Sequence, residues 1–238
     1  SIEEANFLIN TCKAPFIKVA SMDINNYPYL KYLAKTASAI IISSGMANFN
    51  EITKAIHLLE LEGAKNVILL HCISIYPAAP ELINLQHIKL LKDCFPNITI
   101  GYSDHTLGTE VGIASVAMGA CVIEKHFTID STAIGMDNQM AIEEKELTHM
   151  VNSIKNVFLA LGNKEKSVSE AELDQRKKMR RSLVVSEDME IGDILTENLL
   201  TAKRPGTGIS VSEWDAYLNQ KITKSILKDS LLTKEHFK

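Results

Sequence analysis

Short apolar runs rich in β-branched residues alternate along this chain with longer stretches in which apolar positions recur every three or four residues. The runs are FIKVAS (16–21), AIIISSG (39–45), NVILLHCIS (66–74), ITIGYSD (98–104) and CVIEKHFT (121–128). Between them lie YPYLKYLAKT, FNEITKAIHLLELEG, LINLQHIKLLKDC and GTEVGIASVAMGA, and a short helical segment precedes the first run. In FNEITKAIHLLELEG, Ile52, Ile56 and Leu59 fall on one helical face, which Gly63 stops. Near-continuous apolar strands alternating with helices predict a parallel sheet covered by helices.

The same patterning predicts one long helix over 143–162, closed by Gly162. Residues 164–181 are charged and nearly free of large apolar side chains, which reads as an exposed linker, partly helical. Past Arg181 the texture changes to short strand-like runs with a Gly turn at 192 and a Pro-Gly-Thr-Gly loop. The expected organisation is therefore an α/β domain over 1–163, a linker over 164–181 and a small β-rich domain over 182–238, a size at which a private core is marginal. Five βα units are visible where a (β/α)₈ barrel has eight. The first domain is either an open five-stranded sheet or part of a barrel.

Composition narrows the class. The chain has 238 residues, 46% of them hydrophobic and 23% charged, with a net charge of −4. No broad basic field points to nucleic acid or an anionic membrane. No apolar run nears the ~20 residues of a membrane span, and the N-terminus lacks a signal-peptide pattern. Four cysteines (Cys12, Cys72, Cys94, Cys121) form no C-x-x-C pair. Three lie in or beside apolar runs and read as reduced packing residues of a cytoplasmic protein.

Chemistry concentrates where the strands end: Lys18 and Ser21; Ser43 and Ser44; His71 and Ser74; Ser103, Asp104 and His105; Glu124, Lys125 and His126. In barrels and open α/β sheets alike, the carboxyl ends of the strands carry the site. His105 and His126, on adjacent parallel strands ~4.8 Å apart, can converge on one divalent ion and leave positions open for substrate and water. Their alternative reading is a buried, hydrogen-bonded His126 and a loop His105. Lys18 with the serine hydroxyls suits a phosphate or carboxylate, although serine is also ordinary at strand–loop junctions. Asp137 in GMDNQ is a polyol acceptor or a turn residue, and Arg204 in KRPGTG is a preorganised anion or carbonyl ligand or a surface arginine. Ser103, Asp104 and His105 are consecutive along a strand and alternate faces, so they do not form a nucleophilic relay.

Taken together, FIKVAS, IISSGMA, LLHCISIYPAAPE, IGYSDHTLG, VIEKHFTID, GMDNQMA, RRSL and RPGTGIS resemble the sialic acid (N-acetylneuraminate, or nonulosonic acid) synthase family, in order and across nearly the whole chain. The resemblance implies a TIM (β/α)₈ barrel followed by a small antifreeze-like SAF domain of the β-clip type. It implies condensation of phosphoenolpyruvate with the open-chain aldehyde of an N-acetylhexosamine such as N-acetylmannosamine. The product is a nine-carbon 2-keto acid, phosphate leaves, and Mn²⁺ or Mg²⁺ assists. Carried over by motif, His105 and His126 would hold the metal. Lys18, Ser21, Ser43, Ser74 and Ser103 would hold phosphoenolpyruvate. Tyr76, Asp23 and Asp137 would face the sugar, the two aspartates as catalytic carboxylates. Arg204 would reach a partner's barrel and bind the acetyl group, which implies a domain-swapped homodimer.

Against that pattern, three N-terminal βα units of the barrel have no counterpart here, including a catalytic Glu and a phosphate-binding Lys. Asn138 stands where many members have His, and TASA (36–39) replaces Thr-Gly-Lys-Pro. The chain is thus expected to be a fragment, or half of a split enzyme that acts only with a partner chain, inactive or nearly so alone; the alternative is a non-catalytic fragment that binds a full-length subunit or a sugar phosphate. A related barrel making a seven- or eight-carbon keto acid fits less well because of the SAF-like tail. Ice binding by that tail is disfavoured by RPGTG.

Overall fold

The computed structural model describes residues 1–238, which divide into two compact units, Ser1–Asn163 and Lys164–Lys238. In the first, α1 (Ile2–Asn10) precedes β1 (Ile17–Val19), α2 (Tyr27–Thr36), β2 (Ile40–Ser43), α3 (Phe49–Leu61) and β3 (Val67–Cys72). A single turn, α4 (Pro80–Ile83), leads to α5 (Gln86–Cys94), β4 (Thr99–Asp104), α6 (Glu110–Ala117), β5 (Ile123–Lys125) and α7 (Glu144–Leu161). The strands are those expected, although the first and last are only three residues long. The segment LINLQHIKLLKDC is split, because Asn84 adopts a left-handed conformation between α4 and α5. Helix α3 ends as its sequence predicts, with Gly63 at φ +85° just past the cap.

All five strands are parallel, in the order β1-β2-β3-β4-β5. Each strand pairs with its neighbours in sequence, so the order never reverses as it does at the switch point of a doubly wound sheet. This is the winding of a barrel arc. Strand alternation sorts the side chains onto two faces. Ile17, Val19, Ile40, Ile42, Leu69, Ile100, Tyr102 and Ile123 join the core built with the helices, whose inner faces supply Leu30, Leu33, Ile56, Leu59 and Ile88 among others. The opposite face carries Lys18, Ser43, Cys72, Ser103 and Glu124 at the strand ends, the last three side by side in register.

Helix α7 packs on α6 but buries only Met150. Leu147, Val151, Phe158 and Leu161 recur at helical spacing and are exposed. Phe158 and Leu161, together with Ile154, Val116 and Ile123, border an apolar cavity of ≈ 440 Å³. No helix is long and apolar enough to cross a membrane. The expectation that three cysteines pack in the interior is corrected: only Cys72 is buried, and Cys12, Cys94 and Cys121 are exposed. Cys94 and Cys121 sit at the ends of their apolar runs, where the chain turns outward.

In the second unit, α8 (Glu170–Met179) opens with a capping box from Ser169 and Glu172 and has no buried residue. Antiparallel β6 (Ser182–Val185) and β7 (Leu200–Lys203) follow, then one turn, α9 (Trp214–Tyr217). Isolated bridges such as Val184 to Leu231 and Met189 to Ile226 knit the remainder. Its core is Leu183, Val185, Met189, Leu195, Leu200, Ile209, Ile222, Ile226 and Leu232. The stretch read as a linker thus holds α8, and its backbone is tied to the β-rich part: the Gly206 N–H donates to the Lys177 carbonyl at 2.8 Å.

Candidate active site

The carboxyl ends of β1 to β5 bring most of the sequence-nominated residues to one face of the sheet. The short strands stop where the pattern turns polar, and the following loops carry the remaining groups. Ser21 begins a 3₁₀ turn after β1, and its hydroxyl lies 3.0 Å from that of Ser74, past the end of β3. Gly45, after β2, sits against both: a Cβ there would overlap the hydroxyls of Ser21 and Ser74, and its φ is +31°. Only glycine fits this position. The Ser43 hydroxyl is buried and has no hydrogen-bond partner. Such an orphan costs about 1–3 kcal/mol, which a ligand oxygen would recover.

Lys18 lies 3.5 Å from Glu124 Oε1, and the Ser103 hydroxyl donates to the same oxygen at 2.7 Å. Ser103 and Glu124 are register partners on β4 and β5, which is why they meet. Sequence reasoning named Glu124 as a strand-end residue but gave it no role. The signal was the parity of its position, which puts it on the same sheet face as Ser103.

His105 and His126 each follow their strand by one residue, and their ring centroids are 5.3 Å apart. His105 is buried, and its Nδ1 lies 2.7 Å from the Ile73 carbonyl. A carbonyl only accepts, so Nδ1 carries the proton and Nε2 keeps a free lone pair. Burial holds the His105 ring below its ordinary pKa, partly opposed by that hydrogen bond, which favours the neutral, ligating form. His126 Nδ1 lies 3.8 Å from Asp137 Oδ2. Tyr76 covers the pair, with its ring 4.2 Å from His105 and edge-on to His126 at 6.1 Å. The donor chemistry fits a divalent ion held by two imidazoles. No group of three His, Cys, Asp or Glu side chains is arranged to hold one, so its other ligands would be substrate and water.

Asp104 faces the other way, as its parity requires. Its carboxylate accepts from Tyr102 Oη, from the Thr106 N–H and hydroxyl, and from Lys125 Nζ at 3.0 Å. It is structural support, not part of a relay. His71 also faces the helices, with Nε2 2.7 Å from the Ile83 carbonyl. Asp23 closes the turn after Ser21, and its Oδ1 accepts from Asn26 at 3.3 Å. Arg204 belongs to the second unit, where its Nε donates to the Met179 carbonyl at 3.1 Å. Of the nominated residues, then, Ser21 and Ser74 meet directly, Lys18 and Ser103 meet through Glu124, and Tyr76, His105, His126 and Asp137 form one group.

Comparison with known proteins identifies relatives of both units. The family model described as NeuB family matches residues 1–166, and that of the SAF domain matches residues 180–238. The chain is 41% identical over 227 residues to the N,N'-diacetyllegionaminic acid synthase of Campylobacter jejuni, covering 94% of this chain and 68% of that protein. It is 36% identical to the N-acetylneuraminate-9-phosphate synthase of Homo sapiens, covering 98% of this chain and 63% of that one. It therefore spans about two thirds of the length of these relatives. A crystal structure of the N-acetylneuraminic acid synthetase of Leptospira borgpetersenii superposes with a TM-score of 0.64 at 35% identity, over 68% of this chain and 56% of that one. The chain belongs to the NeuB family and carries a SAF domain at residues 180–238.

Proposed function

We propose that this chain supplies most of the active site of a nonulosonic acid synthase. The observation that carries the reading is the cradle of Ser21, Ser74 and Gly45 beside the unpartnered Ser43 hydroxyl. It is a set of oxygen-binding groups with room kept by a glycine. Lys18, Ser21, Ser43, Ser74 and Ser103 bind the phosphate and carboxylate of phosphoenolpyruvate. C3 of phosphoenolpyruvate attacks the aldehyde carbon of an N-acetylhexosamine, forming the new C–C bond. Water adds at C2, and the C2–O bond to phosphate breaks, leaving the 2-keto acid and inorganic phosphate. His105 and His126 hold a divalent metal, Mn²⁺ or Mg²⁺, which when bound polarises the aldehyde oxygen. Tyr76, Asp23 and Asp137 orient the open-chain sugar, the two carboxylates within reach of its hydroxyl protons. Arg204 binds the acetyl group in the barrel of a partner copy, as part of a domain-swapped dimer in the cytoplasm. The two relatives are named for different nine-carbon products, so the acceptor is assigned here as a class, the N-acetylated amino sugars.

The sheet leaves β1 and β5 without outer neighbours, and the apolar row on α7 has no cover in the first unit. Both support a barrel that further βα units complete, with the chain inactive without them. The test is phosphate release from phosphoenolpyruvate, N-acetylmannosamine and Mn²⁺. None is expected from the chain alone, and release is expected when the preceding βα units of a relative are added in trans. Silence in both arms, with the two polypeptides shown to associate, would overturn the synthase reading.

A further inference from the structure

Five of the six residues from Arg176 to Arg181 are cationic in a chain of net charge −4. Arg176 and Arg180, and Lys177 and Arg181, are four residues apart, a spacing at which like charges repel along a helix. The helix dipole favours cations in the last turn, which accounts for Arg176 and Lys177. It does not account for Arg180 and Arg181, which lie past the end of α8. All four side chains border one cavity of ≈ 390 Å³, closed on its far side by Gly206 and Gly208. Asp174 is the one carboxylate in ion-pair contact with this group, 3.5 Å from Lys177. Arg181 Nη1 donates to the Ala202 carbonyl at 3.4 Å.

The far wall is built to stay in place. The Gly206 N–H donates to the Lys177 carbonyl, and the Ser182 hydroxyl donates to the Pro205 carbonyl at 2.7 Å while accepting from the Gly208 N–H at 2.9 Å. A Cβ on Gly206 would stand 2.8 Å from Arg180 Cβ, and one on Gly208 would stand 2.7 Å from the Leu232 carbonyl. Gly206 therefore lets the loop lie directly against the cationic turn, Gly208 lets it lie against the Leu231–Leu232 segment, and the cavity is preorganised. Leu173 adds an apolar wall and Ser210 a hydroxyl.

We infer that this cavity of the second unit, lined by Arg176, Lys177, Arg180 and Arg181 over the Gly206–Gly208 loop, is a binding site for a phosphorylated small anion. Arginines bordering one space can present guanidinium groups that match the oxygens of a phosphate dianion. The volume falls in the range of small-molecule sites and exceeds the needs of a bare phosphate, which favours a phosphate monoester whose organic part lies on Leu173. The inference does not depend on the synthase reading.

The test is isothermal titration of the full chain at low salt with inorganic phosphate in one arm and glucose 6-phosphate in the other. Saturable binding of the monoester is expected, tighter than that of phosphate; equal affinities would assign the site to free phosphate. The double variant Arg176→Gln, Arg180→Gln should weaken binding at least about tenfold, since each guanidinium lost removes a charge-assisted hydrogen bond. Both arginines are exposed, so its melting curve should match the parent's. Lys54→Met, an exposed lysine of α3 in the other unit, should leave the affinity unchanged. The inference is overturned by the absence of saturable binding in either arm, or by monoester affinity that is unchanged in the double variant or falls equally with Lys54→Met. It is also overturned if a single-stranded oligonucleotide binds more tightly than both probes, which would assign the cations to nucleic acid.

Discussion

Asp104 and Lys125 are register partners on β4 and β5, and their buried side chains are joined at 3.0 Å. Each immediately precedes one of the two histidines, so this pair fixes how far apart the strands deliver His105 and His126. Lys125 also donates to the Thr106 carbonyl, beyond His105. Lys125→Met would leave a buried carboxylate without its counter-charge and should cost roughly 3–5 kcal/mol in urea unfolding. Lys125→Arg, which keeps the charge, should recover part of that loss. Mn²⁺ affinity should fall in the Met variant and return with Arg; an unchanged affinity would show that the pair supports the fold without setting the histidines.

Gly45→Ala places a methyl group on the hydroxyls of Ser21 and Ser74 at a backbone conformation that alanine resists. Destabilisation of about 1–3 kcal/mol is expected, with loss of phosphoenolpyruvate binding by calorimetry. Retained affinity would show that these hydroxyls do not hold the ligand.

His71 is buried, with its ring near His87 and Tyr102, and burial holds its pKa below the ordinary 6.5, with His87 adding to the shift and the Ile83 carbonyl opposing it. Below about pH 6.5 the unfolded chain takes up a proton that the native ring refuses. Stability present at neutral pH is therefore lost as the pH falls below that value. His71→Gln should flatten the decline by up to one proton, about 1.4 kcal/mol per pH unit. Equal slopes in parent and variant, measured by urea unfolding from pH 7.5 to 5, would contradict this.

His105→Ala removes the imidazole whose tautomer the Ile73 carbonyl fixes. Mn²⁺ binding, followed by electron paramagnetic resonance, should fall to background, and the complemented enzyme should lose its metal-dependent phosphate release. His71→Gln should keep both.

Strand–helix alternation and polar strand ends were legible in the sequence because parallel strands buried on one face are apolar and sites form at their carboxyl ends. The division of labour within GYSDHTLG followed from parity alone: Ser103 and Asp104 face opposite sides of the sheet. Glu124 and Gly45 were not legible as site residues. The role of Glu124 depends on cross-strand register, and that of Gly45 on the approach of Ser21 and Ser74, 53 residues apart. The packing expected of Cys94 and Cys121 failed because apolar neighbours in sequence do not fix a side chain's direction at the end of an element. The grip of α8 on the RPGTG loop was hidden because main-chain hydrogen bonds leave no side-chain signature.

Lys18, the one ammonium facing the serine cradle, already has Glu124 at 3.5 Å. Glu124 is in effect a resident anion, and any incoming one enters by exchange with it. A monovalent ion such as chloride gains little over the carboxylate it displaces. A phosphate-bearing dianion that also engages the serine hydroxyls gains at every oxygen. On the proposed function, the strand tips would therefore favour a phosphate over common salt anions, because the positive charge of Lys18 is already opposed by Glu124.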